Sequence, residues 1–303
     1  MVSGVERGVI AAIGNFDGVH RGHRRLIAET VAFAGRNGAR AGAVVFDPHP
    51  RRYFRPEDPP FLLTTPKQRE ALLKEAGAAA VLTLAFDRAL AALTPEAFVA
   101  DVLKGKLGLG GVVTGTEFRF GKGRSGDAEG LKRLCEAAGM KALLVTPAPD
   151  AAGGEKISSS AIRAMIEAGD MCGAALMLGR PWAVEGVVAA GQKLGRTLGF
   201  PTANMTLGEL VEPRKGVYGV KAVVDGRVMP GVANYGRKPT VGAPAPLMET
   251  HLFDFNGDLY GRTIEVRLIA FIRDEKKFDG LDALKAQIAT DSARAREILS
   301  TIE

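Results

Sequence analysis

Apolar residues fall into short blocks through the first half of the chain, and most blocks are followed by a stretch with helical spacing. GVIAAI (8–13), AGAVVF (41–46), AAVLTLAF (79–86), GGVVTG (110–115) and KALLVTP (141–147) are short runs that read as buried strands. HRRLIAETVAFAGRNG (23–38), TPKQREALLKEAG (65–77), TPEAFVADVLKGKLG (94–108) and GLKRLCEAAGM (130–140) read as helices. Two of these open on Thr-Pro, at Thr65-Pro66 and Thr94-Pro95. Threonine caps the unpaired N–H groups of a first turn, and proline's fixed φ suits the first helical position. Strands alternating with helices pair in parallel through crossovers, so this half predicts an open, doubly wound α/β sheet. Two short helices, 158–167 and 170–178, end it.

Beyond about residue 180 the pattern shortens to alternating runs separated by turn residues. GVYGVKAVV and RVMPGVANY flank Asp225-Gly226, and METHLFDF and RTIEVRLIAFI flank Asn256-Gly257-Asp258. Each pair predicts a β-hairpin, because Asp-Gly and Asn-Gly supply the positive φ angles of tight hairpin turns. LDALKAQIATDSARAREIL predicts one final helix. The C-terminal part is therefore expected to be a small antiparallel β-barrel or sandwich with a terminal helix, giving domains 1–180 and 181–303.

With 303 residues, 46% hydrophobic and 24% charged, the composition is that of globular domains. No apolar run reaches the roughly 18–20 residues of a membrane span, and MVSGVERG lacks the basic start and apolar block of a signal peptide. Cys135 and Cys172 sit in helical runs without a partner motif, which argues against a disulfide framework or thiolate metal site. These features predict a protein of the cytoplasm. The net charge of +6 is spread thinly, without the basic blocks of nucleic-acid tails. It suits small polyphosphate substrates as well, so charge alone does not choose a partner.

GNFDGVHRGH (14–23) follows the first strand and leads into the first helix. In such a sheet this is the carboxyl edge, where ligands bind. Glycines let the backbone approach a ligand closely, and a helix start offers N–H groups to phosphate. His20 and His23 are three apart and share a face of a helical first turn, where two imidazoles can donate to phosphoryl oxygens as charge builds there. Taken alone, the stretch reads equally as a tight turn. Zinc ligation by two histidines lacks an evident third ligand, and the spacing is not the dinucleotide fingerprint G-x-G-x-x-G. Ser158, Ser159 and Ser160, with Arg163 one turn on, form a second anion cradle at a helix start; an ordinary serine cap is the alternative.

GQKLGRTLGFPTAN (191–204) is a second glycine-rich stretch. If extended, it puts Thr202 and Asn204 on one side as oxygen ligands for a hard cation such as Mg²⁺, with Lys193 and Arg196 in reach of phosphates. A plain β-turn region is the alternative. Glu249 opens an otherwise apolar strand and can accept a proton from an attacking hydroxyl; a solvated strand-edge glutamate is the bland reading.

HRGH is similar to the H-x-G-H signature of the nucleotidyltransferase superfamily, which implies a Rossmann-like N-terminal domain. GNFDGVHRGH, VVFDPHP (44–50), VVTGTEFRFGKGRSGD (112–127) and ISSSAIRAMIEAGD (157–170) together resemble the bacterial bifunctional riboflavin kinase/FMN adenylyltransferase family, also called FAD synthetases. That family usually has aspartate at Glu117 and often threonine at Ser160. PTAN, GVYGV, GVANYGRKPT, ETHLFDF, LYG and IRDEKKF are similar to its riboflavin kinase domain over essentially the whole length of that domain.

The resemblance implies two activities. The C-terminal domain would phosphorylate riboflavin to FMN with Mg²⁺-ATP. Glu249 would be its base, and Gly191, Lys193, Gly195, Arg196, Pro201, Thr202 and Asn204 would hold ATP, with Thr202 and Asn204 the metal ligands. Arg273 and Phe278 would lie on the flavin side. The N-terminal domain would adenylylate FMN to FAD and release pyrophosphate. His20 and His23 would be catalytic; Gly14, Asn15, Phe16, Asp17, Gly22, Ser159, Ser160 and Arg163 would hold ATP, with Glu117 and Phe120 on the FMN side. Asp17 is also read as a simple brace of its turn. The expected partners are small molecules, not nucleic acid or membrane, and the expected state is a monomer or weak homo-oligomer. The competing readings are a kinase with a silent nucleotidyltransferase half and an RNA-binding protein built on an H-x-G-H fold.

Overall fold

The computed structural model describes residues 8–146, 156–189, 200–236 and 246–301. The chain divides into two compact units, one of residues 1–58 and 66–157 and one of residues 59–65 and 158–303.

In the first unit the strands are β1 (Ile10–Ile13), β2 (Ala41–Asp47), β3 (Ala80–Ala85), β4 (Gly111–Gly115), the two-residue pair β5 (Arg119–Phe120) and β6 (Gly126–Asp127), and β7 (Lys141–Val145). Five of them form the expected all-parallel sheet, in the order β3-β2-β1-β4-β7. Its helices are α1 (Arg21–Arg36), α2 (Pro50–Phe54), α3 (Pro66–Glu75), α4 (Arg88–Ala91), α5 (Pro95–Ala97) and α6 (Ala128–Ala137).

Successive strand residues face opposite sides, so both faces are buried. Ala11, Ile13, Val44 and Phe46 pack with Phe98, Leu103 and Leu131 on one face. Ala12, Ala43 and Val45 pack with Ile27 and Leu73 on the other. Thr94 caps α5 by accepting the Ala97 N–H at 3.3 Å, with Pro95 first in the helix. The segment then departs from the expected α-helix and runs as a π-helix over Phe98–Lys106. The wider turn, with Leu107 N–H bonded to Val102 O at 2.9 Å, brings Phe98, Val99, Val102 and Leu103 all into the core.

In the second unit α7 (Ser159–Ala168) and α8 (Met171–Leu178) precede β8 (Trp182–Val187), β9 (Ala203–Met205), β10 (Gly216–Val224), β11 (Arg227–Gly236), β12 (Leu247–Leu252), β13 (Thr263–Asp274) and α9 (Leu281–Ser300). The strands form one antiparallel sheet in the order β8-β13-β10-β11-β12-β9. An isolated bridge from Ala189 to Asn204 ties the residues after β8 to β9 at the opposite edge, so the sheet curls into a barrel-like surface. Ala295 and Leu299 dock α9 on Val217, Val232 and Ile269.

The segment 59–65 belongs here too. Leu62 bridges Leu210 in parallel, and the Trp182 indole N–H donates to Leu63 O at 2.9 Å.

One of the two expected hairpins forms. Asp225 (φ 49°) and Gly226 (φ 77°) turn β10 into β11. The other does not: β12 pairs with β11 and β9, and β13 pairs with β10 and β8. Asn256-Gly257-Asp258 lies between β12 and β13 with no positive φ at any of the three residues, while the long apolar strands β10 and β13 pair at the middle of the sheet. Burial there, and not the turn, decides the partner.

Candidate functional site

In the first unit the strand order reverses between β1 and β4, and the loop Gly14–Val19 leaves the carboxyl end of β1 beside that point. The loop is wound through left-handed backbone, at Phe16 (φ 53°), Gly18 (φ 84°) and Val19 (φ 40°). Only Gly18 adopts this without steric cost, so the turn must be held from outside. Phe16 and Val19 anchor it through buried side chains, and Val19 N–H closes on Phe16 O at 3.1 Å.

His20 is the N-cap of α1, in extended backbone (φ −70°, ψ 173°), and not part of the helical first turn expected for it. Its Nδ1 accepts the His23 N–H at 3.3 Å, so its own ring proton, when neutral, sits on Nε2. The two rings stack with centroids 3.6 Å apart and planes at 15°. A Cβ on Gly22 would come within 3.2 Å of the His20 ring, which is the local reason for glycine there. His23 Nδ1 is buried without a hydrogen bond, and Phe16 meets its ring edge-on at 5.2 Å. Burial, and then the neighbouring His20, hold the His23 pKa well below its ordinary value, so His23 is neutral at neutral pH.

Asn15 and Asp17 belong to the same loop, and a residue the motifs did not flag reaches them. Arg69 of α3, 5% exposed, donates from its guanidinium to Asn15 O at 3.2 Å and to Phe46 O at 3.1 Å. Asp17 is 3% exposed and acts on Arg69 electrostatically. The sequence carries a signal for Arg69: it lies four residues before Leu73, on the helix stripe that must be buried.

Glu117 is exposed and ion-paired with Lys156. Phe120 is 7% exposed, and its ring packs in the core between Phe98 and Phe118.

In the second unit Ser158 caps α7, accepting the Ala161 N–H at 3.1 Å, while Ser159 and Ser160 are the first helical residues. Arg163 donates from Nε to Phe61 O at 2.6 Å and lies over the Phe61 ring at 5.4 Å.

A cavity of about 980 Å³ opens on the sheet of this unit. Among the residues lining it are Pro201, Thr202, Asn204, Glu249, Arg273 and Phe278, six of the residues singled out from sequence. Gly191, Lys193, Gly195 and Arg196 lie outside the described residues. Ladder register puts Glu249 of β12 directly opposite Asn204 of β9 on one side and Asn234 of β11 on the other. Directly paired residues share a face, so the three form one polar row across three strands. Asn204 is 6% exposed, and its Oδ1 is buried without a hydrogen bond.

His251, two residues beyond Glu249, pairs its Nδ1 with Pro201 O at 2.9 Å and so braces the Pro-Thr-Ala-Asn segment. Arg273 is gripped by Asp291 of α9 (Nε–Oδ1 2.9 Å, Nη2–Oδ2 2.6 Å) and lies over Phe278 at 5.7 Å. Asn234, His251 and Asp291 were missed from sequence. Asn234 interrupts an apolar run, and Asp291 falls on the buried stripe of Ala295 and Leu299.

Among the described residues no group of three or more His, Cys, Asp or Glu side chains could hold a metal ion, and no helix is long and apolar enough to cross a membrane. Cys135 is buried, which pushes its thiol up to about 12, and Cys172 is exposed.

A family model described as FAD synthetase matches residues 3–161, and one described as riboflavin kinase matches residues 178–299. The chain is 41% identical to the bifunctional riboflavin kinase/FMN adenylyltransferase of Escherichia coli K12, over 96% of this chain and 93% of that protein. It is 35% identical to the protein of the same description from Bacillus subtilis, over 97% and 93%. A crystal structure described as a macrolide-efflux protein from Streptococcus pneumoniae superposes with a TM-score of 0.85 at 31% identity, covering 97% of this chain and 95% of that one.

Proposed function

This chain belongs to the bifunctional riboflavin kinase/FMN adenylyltransferase family, and we propose how its own residues carry the two reactions. The protein is a transferase that phosphorylates riboflavin to FMN and then adenylylates FMN to FAD, with ATP as donor in both steps.

In the kinase reaction the riboflavin 5′-hydroxyl attacks the γ-phosphorus of ATP, the bond to the bridging oxygen breaks, and ADP leaves. Glu249 takes the hydroxyl proton as the new bond forms. Thr202 and Asn204 hold the Mg²⁺-nucleotide. The buried, unbonded Oδ1 of Asn204 and the Thr202 hydroxyl are hard oxygen donors, which fits that ion. Magnesium bound there would neutralise phosphate charge. Arg273 and Phe278 form the flavin side of the cavity, the guanidinium kept in place by Asp291. Gly191, Lys193, Gly195 and Arg196 are assigned to ATP on the strength of the motif alone. Phosphoryl transfer is governed mainly by alignment and charge neutralisation, so one carboxylate and a few polar groups suffice.

In the adenylyl transfer an FMN phosphate oxygen attacks the α-phosphorus of ATP and pyrophosphate leaves, with no protein nucleophile. His20 donates from Nε2, and His23, neutral, serves as a hydrogen-bonding partner. Gly14, Asn15, Phe16, Asp17 and Gly22 shape the loop that receives the phosphates. Ser159, Ser160 and Arg163 take part by their match to the family motif. Glu117 and Phe120 are assigned to the FMN side by their match to the family motif alone, the Phe120 ring being buried against Phe98 and Phe118.

The observation that carries the reading is the pairing of Glu249 with Asn204 on the cavity face of one unit, while the stacked His20–His23 pair belongs to the other. A silent nucleotidyltransferase half is not favoured, because the FAD synthetase family model matches residues 3–161 and the relatives similar over nearly the full chain are described as bifunctional. We assign the protein to the cytoplasm, with small-molecule partners, no nucleic acid, and a monomeric or weakly associating state.

The test is incubation with riboflavin, ATP and Mg²⁺ and separation of the flavins over time. FMN appears first and FAD follows. An absence of FMN and FAD under both oxidising and reducing conditions would overturn the reading.

A further inference from the structure

We propose that Arg69 is a positioning residue for adenylyl transfer, its buried guanidinium holding the strained loop that aims His20 and His23. The inference rests on the adenylyltransferase reading of that loop.

Three observations converge on Arg69. The loop between β1 and α1 takes left-handed backbone at Phe16, Gly18 and Val19, and two of these are not glycine, so it would not keep this shape unaided. Its carbonyl at Asn15 and the carbonyl of Phe46 at the end of β2 are both gripped by one guanidinium, at 3.2 and 3.1 Å. That fork ties the loop to the neighbouring strand by two bonds from one rigid planar group, which the single ammonium of lysine cannot reproduce.

A cation 5% exposed is costly unless countered, and the countercharge comes from the loop itself. Asp17, one residue past Phe16, is buried and acts on Arg69, and Asp47 adds to it. Asp17 is therefore more than a turn residue, because it is the anion that lets the clamp be buried. His20 follows three residues later, and its ring is part of the stack with His23. A loop released at Asn15 and Asp17 would shift that stack with respect to the reacting phosphorus. The Arg69 guanidinium donates to backbone carbonyls of the loop and of β2, so its effect on the two rings passes through the loop.

Arg69→Lys is the decisive variant, because it keeps the charge that Asp17 needs and removes the fork. Steady-state FAD formation from FMN and ATP should fall in kcat by about 10–100-fold, the usual cost of small misalignment, with KM for both substrates near the wild-type value. Arg69→Met should fall further. Riboflavin phosphorylation by the same samples should be unchanged, which reports that the other unit is intact, and an Arg69→Lys melting temperature equal to that of the wild type reports that the unit holding Arg69 is folded.

An Arg69→Lys kcat within about twofold of wild type overturns the proposal, since a factor that small is well under the cost of misalignment. So does a raised KM at unchanged kcat, or loss of both activities together with a lowered melting temperature. His23→Ala, run alongside, separates the failures. If it leaves FAD formation intact, the reading of the site is wrong; if it abolishes FAD formation while Arg69→Lys does not affect it, only the clamp is.

Discussion

His20 accepts the backbone N–H of His23 through Nδ1 at 3.3 Å while the two imidazoles stack 3.6 Å apart. One ring is therefore both the cap of α1 and half of the histidine pair proposed to act in adenylyl transfer. Structure and chemistry can be separated by choosing the substitution. Asparagine is itself a favoured N-cap, so His20→Asn should keep the helix start within a few tenths of a kcal/mol, where alanine costs about 1 kcal/mol. FAD formation should fall with either. Thermal melts of the two variants, read beside their FAD yields, check this.

His23→Ala removes the second imidazole and leaves the other unit intact. The expected outcome is a loss of FAD formation of about 10²–10³-fold, in line with the loss of one donor to a developing phosphoryl charge. FMN formation from riboflavin should be unaffected. Chromatographic time courses with riboflavin, and separately with FMN, distinguish the two.

The depressed His23 pKa has a sign that can be tested. In the unfolded chain this histidine titrates near about 6.5, and in the folded chain below it. As pH falls through about 6.5 the unfolded chain takes up the proton first, so its share of stability is present above that pH and lost below it. The melting temperature of the wild type should drop more steeply between about pH 7 and 5 than that of His23→Gln, because glutamine does not titrate. Parallel curves for the two proteins would contradict the assignment.

Glu249→Gln keeps size and hydrogen bonding on β12 but cannot take a proton. Riboflavin phosphorylation should fall by about 10²–10⁴-fold, the usual range for a general base. FAD formation from supplied FMN should remain. A normal phosphorylation rate would remove Glu249 from the chemistry.

Asp291 is 4% exposed and holds Arg273 by both oxygens. Asp291→Asn leaves a guanidinium without its counter-ion. After discounting the partial exposure of Arg273, the cost should be roughly 2–4 kcal/mol. Denaturant titration measures it, and weaker riboflavin binding should accompany it.

Much of this molecule was legible in one dimension because the signals involved are local. The Thr94-Pro95 helix start, the Ser158 cap and the Asp225-Gly226 hairpin each depend on a few neighbouring residues, and each forms. The parallel sheet followed from the alternation of strand and helix. The conversion of 98–106 to a π-helix did not, because helix width there answers to the core that Phe98 and Leu103 enter. The charged residues Arg69 and Asp291 sit on helix stripes that otherwise bury, and their partners lie 54 and 18 residues away in sequence.

The sequence by itself determined most of the element types, the glycine-rich turn after β1 and the residue kinds that phosphate chemistry needs. It did so because periodicity, capping and turn preferences act over one or two turns of chain. Only the tertiary structure decided that β13 lies beside β10 and not β12, that Glu249 faces Asn204 and Asn234, and that Arg69 holds the His20 loop. Those choices are made by burial and countercharge between distant segments, where many local patterns are equally satisfied and only the packed whole distinguishes them.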